Sequence, residues 1–141
     1  MFKRFRNRQQ EINPGQVIIP VDHPNPPEPH EVSAARLLAQ HYRCTVAFLT
    51  PIDDYLRKTA DILMLGTLWE MKSPIGSSKT TISNQFKVAS RQARNIIIDS
   101  RRTPLSDDYI EKDILNELKR RTRTKKVILI NKSELIIEIR K

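Results

Sequence analysis

Residues 95–99, Asn-Ile-Ile-Ile-Asp, constrain the fold of this chain more than any other segment. The three isoleucines are consecutive, whereas a strand with one face in water alternates apolar and polar side chains. Such a run predicts a strand buried on both faces, inside a sheet that is covered by helices on each side. A length of 141 residues leaves room for one domain of this kind and little for a second.

The rest of the chain alternates between helical and strand-like patterns. Helical apolar spacing occurs in three segments, at 29–43, 80–94 and 106–123. Strand-like runs rich in β-branched and aromatic residues lie at 44–50, 61–65, 67–72, 126–131 and 134–140. Gly66 and the pair Lys132-Ser133 are the expected hairpin turns. We therefore predict an α/β (α+β) fold with a mixed central sheet, flanked by helices and ending in a β-hairpin.

The N-terminal part has a different composition. Six of the nine prolines lie in residues 1–29, and this spacing opposes helix formation. We predict a proline-rich, basic arm at 1–28 with one short strand at 16–19, followed by the folded domain at 29–141. The start of the arm has no apolar core of a secretory signal, and no run approaches the roughly 20 residues of a membrane span. The single cysteine, Cys44, excludes an internal disulfide and a cysteine-based zinc site.

The formal net charge of +9 points to a polyanionic partner. The charge is also clustered, because residues 79–102 hold six basic side chains and one acidic one, and residues 112–126 hold seven and two. Clustering of this kind favours a phosphate-binding surface, and nucleic acid is the leading interpretation. It does not distinguish RNA from DNA.

One strand carries Glu70 and Lys72 two positions apart, and the preceding strand begins with Asp61. With Gly66 and Thr67 as the hairpin turn, Asp61 lies opposite Lys72 and diagonal to Glu70, on one sheet face. Two carboxylates so placed can hold a hard cation such as Mg²⁺. A neighbouring lysine can then orient or deprotonate a water, or stabilise the transition state of phosphodiester cleavage. The alternative is an ordinary ion pair on a solvated sheet.

This pattern resembles the active-site signature of the PD-(D/E)xK nuclease superfamily, whose core is a helix, a three-stranded meander, a helix and a strand. The resemblance implies that Asp61 and Glu70 bind the metal, that Lys72 is catalytic, and that Glu31 on the first helix belongs to the catalytic group as an accessory ligand. It also implies a polar substrate contact at Gln92. Here an alanine precedes the motif aspartate, where the superfamily pattern has proline.

The segment from Trp69 to Asp99 is similar to the C-terminal tRNase toxin domains of contact-dependent growth inhibition (CDI) and related polymorphic toxin systems. The similarity extends over residues 29–141. It implies an endoribonuclease that cleaves tRNA with a divalent cation, and a cognate immunity protein as partner. It also implies delivery from a secreted effector and action in the cytoplasm of a target bacterial cell.

Further candidates for substrate binding surround these residues. A hydroxyl-rich loop precedes the second helix, where free amides and the helix dipole favour a phosphate. His30, next to Glu31, can serve as a phosphate ligand, an acid or a base. An ordinary capped loop, a buried amide and a first-turn polar residue are the alternative interpretations. The predicted substrate-binding residues are Ser73, Ser77, Ser78, Lys79, Thr81, Gln92 and His30.

Three other functions stay open at this point. A metal-independent, barnase-like ribonuclease could use Lys72, His30 and the loop hydroxyls, because RNA supplies its own 2′-hydroxyl nucleophile. A DNA endonuclease could use the same residues on duplex DNA. A non-catalytic nucleic-acid-binding module would leave the charged strand residues merely solvated.

Overall fold

The computed structural model describes residues 15–50 and 60–140. Within this part of the chain a seven-stranded sheet has its strands in sequence order, from β1 at one edge to β7 at the other. The strands are β1 (Gln16–Ile18), β2 (Thr45–Phe48), β3 (Ile62–Met64), β4 (Thr67–Lys72), β5 (Asn95–Asp99), β6 (Lys126–Ile130) and β7 (Ile136–Arg140). The helices are α1 (Pro29–Tyr42), α2 (Thr81–Ala89) and α3 (Asp107–Arg120).

The sheet is mixed. Strands β2, β3 and β4 form an antiparallel meander, and β4, β5 and β6 are parallel to one another. Helix α2 connects β4 to β5, α3 connects β5 to β6, and β7 returns antiparallel to β6. The predicted α+β fold with a mixed central sheet and a C-terminal hairpin is thereby confirmed. The succession of α1, the meander, α2 and β5 is also the element order expected from the nuclease resemblance.

Helices cover both faces of the sheet. Ala35 and Leu38 of α1 pack against the face that carries Ile97, whereas α2 and α3 pack against the face that carries Ile96 and Ile98. Side chains alternate along β5, so the middle isoleucine enters one core and its neighbours enter the other. The unbroken apolar run is therefore explained by two-sided burial, as predicted.

The ends of two helices differ from the prediction. Helix α2 ends at Ala89 and not at residue 94, because the chain tightens into a turn in which the amides of Arg91 and Gln92 donate to carbonyls three residues back. This turn brings the chain directly into β5. Helix α3 ends at Arg120, three residues before the predicted end, because the chain must become extended before β6.

The N-terminal segment contributes to the sheet. Gln16–Ile18 forms β1, parallel to β2 at the sheet edge, which agrees with the predicted short strand. The boundary at 28 and 29 between arm and domain stays a prediction, and residues 1–14 lie outside the described part. No helix among the described residues has the length and apolarity needed to cross a bilayer.

Candidate active site

The β3–β4 hairpin sets the position of the predicted acidic residues. Its turn is formed by Leu65 and Gly66, whose φ angles are 53° and 70°. Two successive positive φ angles are typical of the type I′ turn, whose twist suits a two-residue hairpin. Across this turn, Met64 pairs with Thr67 and Leu63 pairs with Leu68. The predicted turn, one residue further along, is therefore wrong.

The register consequently differs by two residues from the predicted one. The ladder has Ile62 opposite Trp69, and the amide of Asp61 donates to the carbonyl of the same Trp69 over 3.0 Å, so Asp61 lies next to Trp69 and Glu70 and not opposite Lys72. Glu70 and Lys72 share one face of β4 by alternation, and the Asp61 carboxyl reaches this face, where it hydrogen-bonds with Glu70. Trp69 points the other way into the core, where its indole donates to the carbonyl of Met64.

Glu70 is the most deeply buried acid of this group, with 1% of its surface exposed. Its Oε2 lies 3.2 Å from Nζ of Lys72, whereas its Oε1 has no hydrogen-bond partner among the described residues. Asp61 is fixed from the neighbouring strand, because its Oδ2 accepts a hydrogen bond of 2.9 Å from the amide of Met71. Two carboxyl groups and one ammonium group therefore meet at the end of β4.

This arrangement makes ionisation of Glu70 unfavourable. Burial, the charge of Asp61 and the hydrogen bond with its carboxyl raise the pKa of Glu70 to about 8, although Lys72 acts in the opposite direction. If Glu70 were ionised, the two acids would carry one more negative charge than the single lysine neutralises. A further positive charge at this place would favour the ionised form of Glu70.

Glu31 has a different immediate task from the predicted one. Its Oε1 accepts a hydrogen bond of 2.9 Å from the amide of Glu28, within a reciprocal capping box at the start of α1. It nevertheless lines, together with Asp61, a cleft of about 200 Å³. Among the described residues no three His, Cys, Asp or Glu side chains are grouped so that they could hold a metal ion. Glu31 thus shares a cleft with Asp61 and, among the described residues, does not complete a three-ligand set with Asp61 and Glu70.

The hydroxyl-rich loop is held together by its own side chains. The amide of Ser78 donates to Oγ1 of Thr81 over 3.0 Å, and the hydroxyl groups of Ser78 and Thr80 lie 3.1 Å apart. Ser77, Ser78, Lys79 and Thr80 are all exposed. The hydroxyl groups of Ser78 and Thr80 contact each other within the loop, so Ser77 and Lys79 are the exposed polar side chains without such a contact among the described residues.

The other residues that were predicted to bind substrate lie at separate places in the structure. Oγ of Ser73 and Oε1 of Gln92 are both buried without a hydrogen-bond partner among the described residues. Gln92 lies in the turn after α2 and not on the helix itself. His30 lies on the first turn of α1, where its Nε2 is 2.8 Å from a guanidinium nitrogen of Arg102.

Sequence reasoning missed several polar residues at this edge of the sheet. Asp99 at the end of β5 forms an ion pair with Arg101, with an N–O distance of 2.9 Å. Thr103 and Lys132 were not considered, and both bind main-chain carbonyl groups of neighbouring loops. Main-chain acceptors have no residue-type signature, so no sequence pattern could have indicated these contacts.

The comparisons with known proteins agree on one type of domain. Residues 58–136 match the model of a family described as the contact-dependent growth inhibition CdiA C-terminal domain. Among solved structures, the chain is similar to one in the CdiA-CT/CdiI toxin and immunity complex from Burkholderia pseudomallei. The identity is 18% and the TM-score 0.57, over 90% of this chain and 100% of that chain, so the similarity shows a shared fold. A search of curated proteins finds no match.

Proposed function

This chain belongs to the contact-dependent growth inhibition CdiA C-terminal domain family, and from that premise we propose that it is an endoribonuclease that cleaves tRNA by metal-assisted phosphodiester hydrolysis. Membership of the family makes it a toxin domain of CDI systems. The observation that carries the proposal is the meeting of Asp61, Glu70 and Lys72 at the end of β4, with Glu70 buried and its Oε1 without a hydrogen-bond partner among residues 15–50 and 60–140.

The two carboxyl groups fit a hard divalent cation such as Mg²⁺. Mg²⁺ is commonly held by one or two carboxylates and keeps its other positions for water and phosphate oxygens, so a third protein ligand is not required. Oε1 of Glu70, which has no partner in the described part of the chain, supplies a donor atom of the right kind. When bound, the cation offsets negative charge on the scissile phosphate and lowers the pKa of a bound water.

The side chains of the protein itself have separate tasks in this proposal. The Asp61 carboxylate is held in place by the Met71 amide, so it needs no rearrangement to act as a ligand. Glu70, on the adjacent strand, provides the second carboxylate. The Lys72 side chain is 22% exposed, so its ammonium group can reach a substrate phosphate while it stays paired with Glu70. It would stabilise charge that develops on the phosphate oxygens or transfer a proton there.

The substrate class is supported by charge and by surface chemistry. The net charge of +9 favours a polyanion, and Ser77 and Lys79 are exposed in the loop that follows β4. The choice of tRNA depends on the resemblance of residues 69–99 to tRNase toxin domains. We further propose that the toxin acts in the cytoplasm of the target cell. A cognate immunity protein would block it, as the pairing of toxin and immunity protein in the similar Burkholderia complex suggests.

The test is a cleavage assay with purified protein. Total tRNA, rRNA and plasmid DNA are incubated with wild-type protein, with Glu70→Gln and with the matched control Glu111→Gln on α3, in Mg²⁺ or in EDTA. We expect tRNA fragments from wild type and control in Mg²⁺ alone, and none from Glu70→Gln, although its circular dichroism spectrum is unchanged. A folded Glu70→Gln variant with full activity would eliminate the proposed site.

The same assay separates the alternatives. Activity that survives thorough chelation indicates metal-independent ribonuclease chemistry. Cleavage of plasmid DNA in preference to RNA indicates a DNA endonuclease. Salt-dependent binding of nucleic acid without turnover under any metal indicates a binding module.

A further inference from the structure

Three loops meet at the edge of the sheet where the candidate site lies. They are the 73–80 loop after β4, the 100–103 turn after β5 and the 131–135 loop between β6 and β7. Strands β4, β5 and β6 are parallel, so their carboxyl ends reach the same edge. Contacts among these loops therefore determine how the residues after Lys72 are presented.

Thr103 connects the second loop to the first. Its side-chain oxygen donates a hydrogen bond of 2.5 Å to the carbonyl of Gly76 and accepts one of 3.2 Å from the amide of Leu105. Only 3% of Thr103 is exposed. Because its hydroxyl proton is already engaged and water has little access, Thr103 does not contact a substrate and acts through the loop that it holds.

Lys132 connects the third loop to the second. Its ammonium group donates to the carbonyl oxygens of Ser100 and Thr103, over 2.7 Å and 2.5 Å. Its main-chain amide donates to Oδ1 of Asp107 at the start of α3. Ser100 is itself tied to β6, since its amide and its hydroxyl both donate to the carbonyl of Ile130. The turn that carries Thr103 is thus fixed at both of its ends.

Gly76 is confined from its other side as well. A Cβ atom built on Gly76 would lie 2.8 Å from Oγ1 of Thr81, closer than such contacts occur in proteins. The loop therefore lies directly against the start of α2, between Thr81 on one side and Thr103 on the other. Ser77 and Lys79, which are both exposed, follow within three residues.

We infer that Thr103 and Lys132 are positioning residues that fix the 73–80 loop in the conformation that binds the substrate backbone. The inference rests on the proposed function and deepens it, because it assigns RNA binding to a loop held by two residues outside the catalytic group. Lys72 belongs to β4 and is held by the sheet, so release of the loop weakens substrate binding and leaves the chemical step nearly unchanged. The kinetic signature is a raised KM with kcat retained.

The decisive comparison is between Thr103→Val, which removes the hydrogen-bond donor at nearly constant volume, and Thr103→Ser, which keeps it. Loss of one ordering hydrogen bond corresponds to about a tenfold change in an equilibrium constant. We expect Thr103→Val to raise KM for tRNA about tenfold with kcat within about twofold, and Thr103→Ser to match wild type. An unchanged KM in Thr103→Val, or an equal defect in Thr103→Ser, would overturn the inference.

Lys132 needs a control for charge, because any lost lysine weakens RNA binding. Lys125→Met removes an exposed lysine before β6 and provides this control. Amide hydrogen exchange over residues 75–79 gives a readout that does not require activity. We expect faster exchange there in Thr103→Val and Lys132→Met, and wild-type exchange in Thr103→Ser and Lys125→Met. Unchanged exchange in both of the first two variants would refute the anchoring.

Failure of the proposed function can be recognised separately. If the wild-type protein cleaves no nucleic acid, the same variants are compared by their affinity for tRNA in a titration. Weaker binding by Thr103→Val, with faster exchange in the loop, then supports the positioning role although the nuclease proposal has failed. Equal affinity of Thr103→Val, Thr103→Ser and wild type refutes the positioning role.

Discussion

Replacing Glu70 by glutamine should make the isolated protein more stable at neutral pH. The pKa of Glu70 is raised from its ordinary value of 4.5 to about 8, first by burial and then by Asp61. Between these two values the folded protein retains a proton that the unfolded chain has released. The free energy of unfolding must therefore fall as pH rises through this range, by about 1.4 kcal/mol per pH unit.

The magnitude follows from the same two values. At pH 7 the unfolded carboxyl is 2.5 pH units above its ordinary pKa, which corresponds to about 3 kcal/mol. Glutamine has a similar shape and no charge in either state, and its amide can replace the hydrogen bond between the Glu70 carboxyl and Asp61. The two proteins should therefore be equally stable near pH 4.5, and the variant should be more stable by about 3 kcal/mol at pH 7.

Urea denaturation in EDTA at several pH values between 4.5 and 8 measures this difference, with Glu111→Gln as the matched control. The gap between wild type and Glu70→Gln should widen with pH, whereas the control should follow wild type. Added Mg²⁺ should stabilise wild type at pH 8 and leave Glu70→Gln nearly unaffected, because a ligand stabilises only the state that binds it. Parallel pH profiles for wild type and Glu70→Gln would refute the assigned environment of this carboxyl group.

Three other substitutions test separate parts of the structure. Lys72→Met should lower kcat/KM for tRNA by about 100-fold or more, measured by the rate of fragment formation, because charge on the phosphate loses its stabilising group. Arg101→Met should reduce the free energy of unfolding by about 3–5 kcal/mol in urea, since it leaves the buried carboxylate of Asp99 without its cation. Leu65→Asn should raise it by up to about 1 kcal/mol, because asparagine tolerates the positive φ angle and suits the type I′ turn. Unchanged rates in the first case, or unchanged denaturation midpoints in the others, would contradict these interpretations.

The sequence was sufficient for the fold because its apolar pattern was unambiguous. The unbroken isoleucines of β5 indicated two-sided burial. The helical pattern that begins at residue 106 indicated the start of α3, where the hydroxyl of Ser106 accepts from the amide of Tyr109. Helix α2 was predicted too long because residues 90–94 have acceptable helix formers and nothing that marks an end. Its end is determined by the connection to β5, which local sequence does not encode.

The register of the β3–β4 hairpin was harder to predict than its existence. Leucine rarely adopts a positive φ angle, so a turn that begins at Gly66 is the better guess from sequence. The structure instead places Leu65 in the turn, which keeps Trp69 opposite Ile62 in the core. Burial of these large side chains offsets the cost of one unfavourable backbone angle.

Two other sets of contacts with the main chain could not be predicted from residue type. The capping box of Glu28 and Glu31 has glutamate at both positions, whereas the usual signature begins with serine or threonine. Glu31 was therefore predicted to be an accessory member of the catalytic group, and its capping role was missed. Thr103 and Lys132 were missed for a similar reason, since the carbonyl groups that they bind can belong to any residue.

The position of Glu70 separates a functional interpretation from a structural one. Trp69 and Met71 are buried on the α1 side of β4, and alternation then directs Glu70 to the opposite face, beside Ile96. An apolar side chain at position 70 would continue the core formed by α2 and α3 and would avoid the penalty of about 3 kcal/mol at pH 7. Burial is the main cause of this penalty, and Asp61 adds a repulsion that an isolated ion pair of Glu70 with Lys72 would lack. Two acids and one lysine at a partly open sheet edge are instead the arrangement expected where a further cation and a phosphate complete the charge balance.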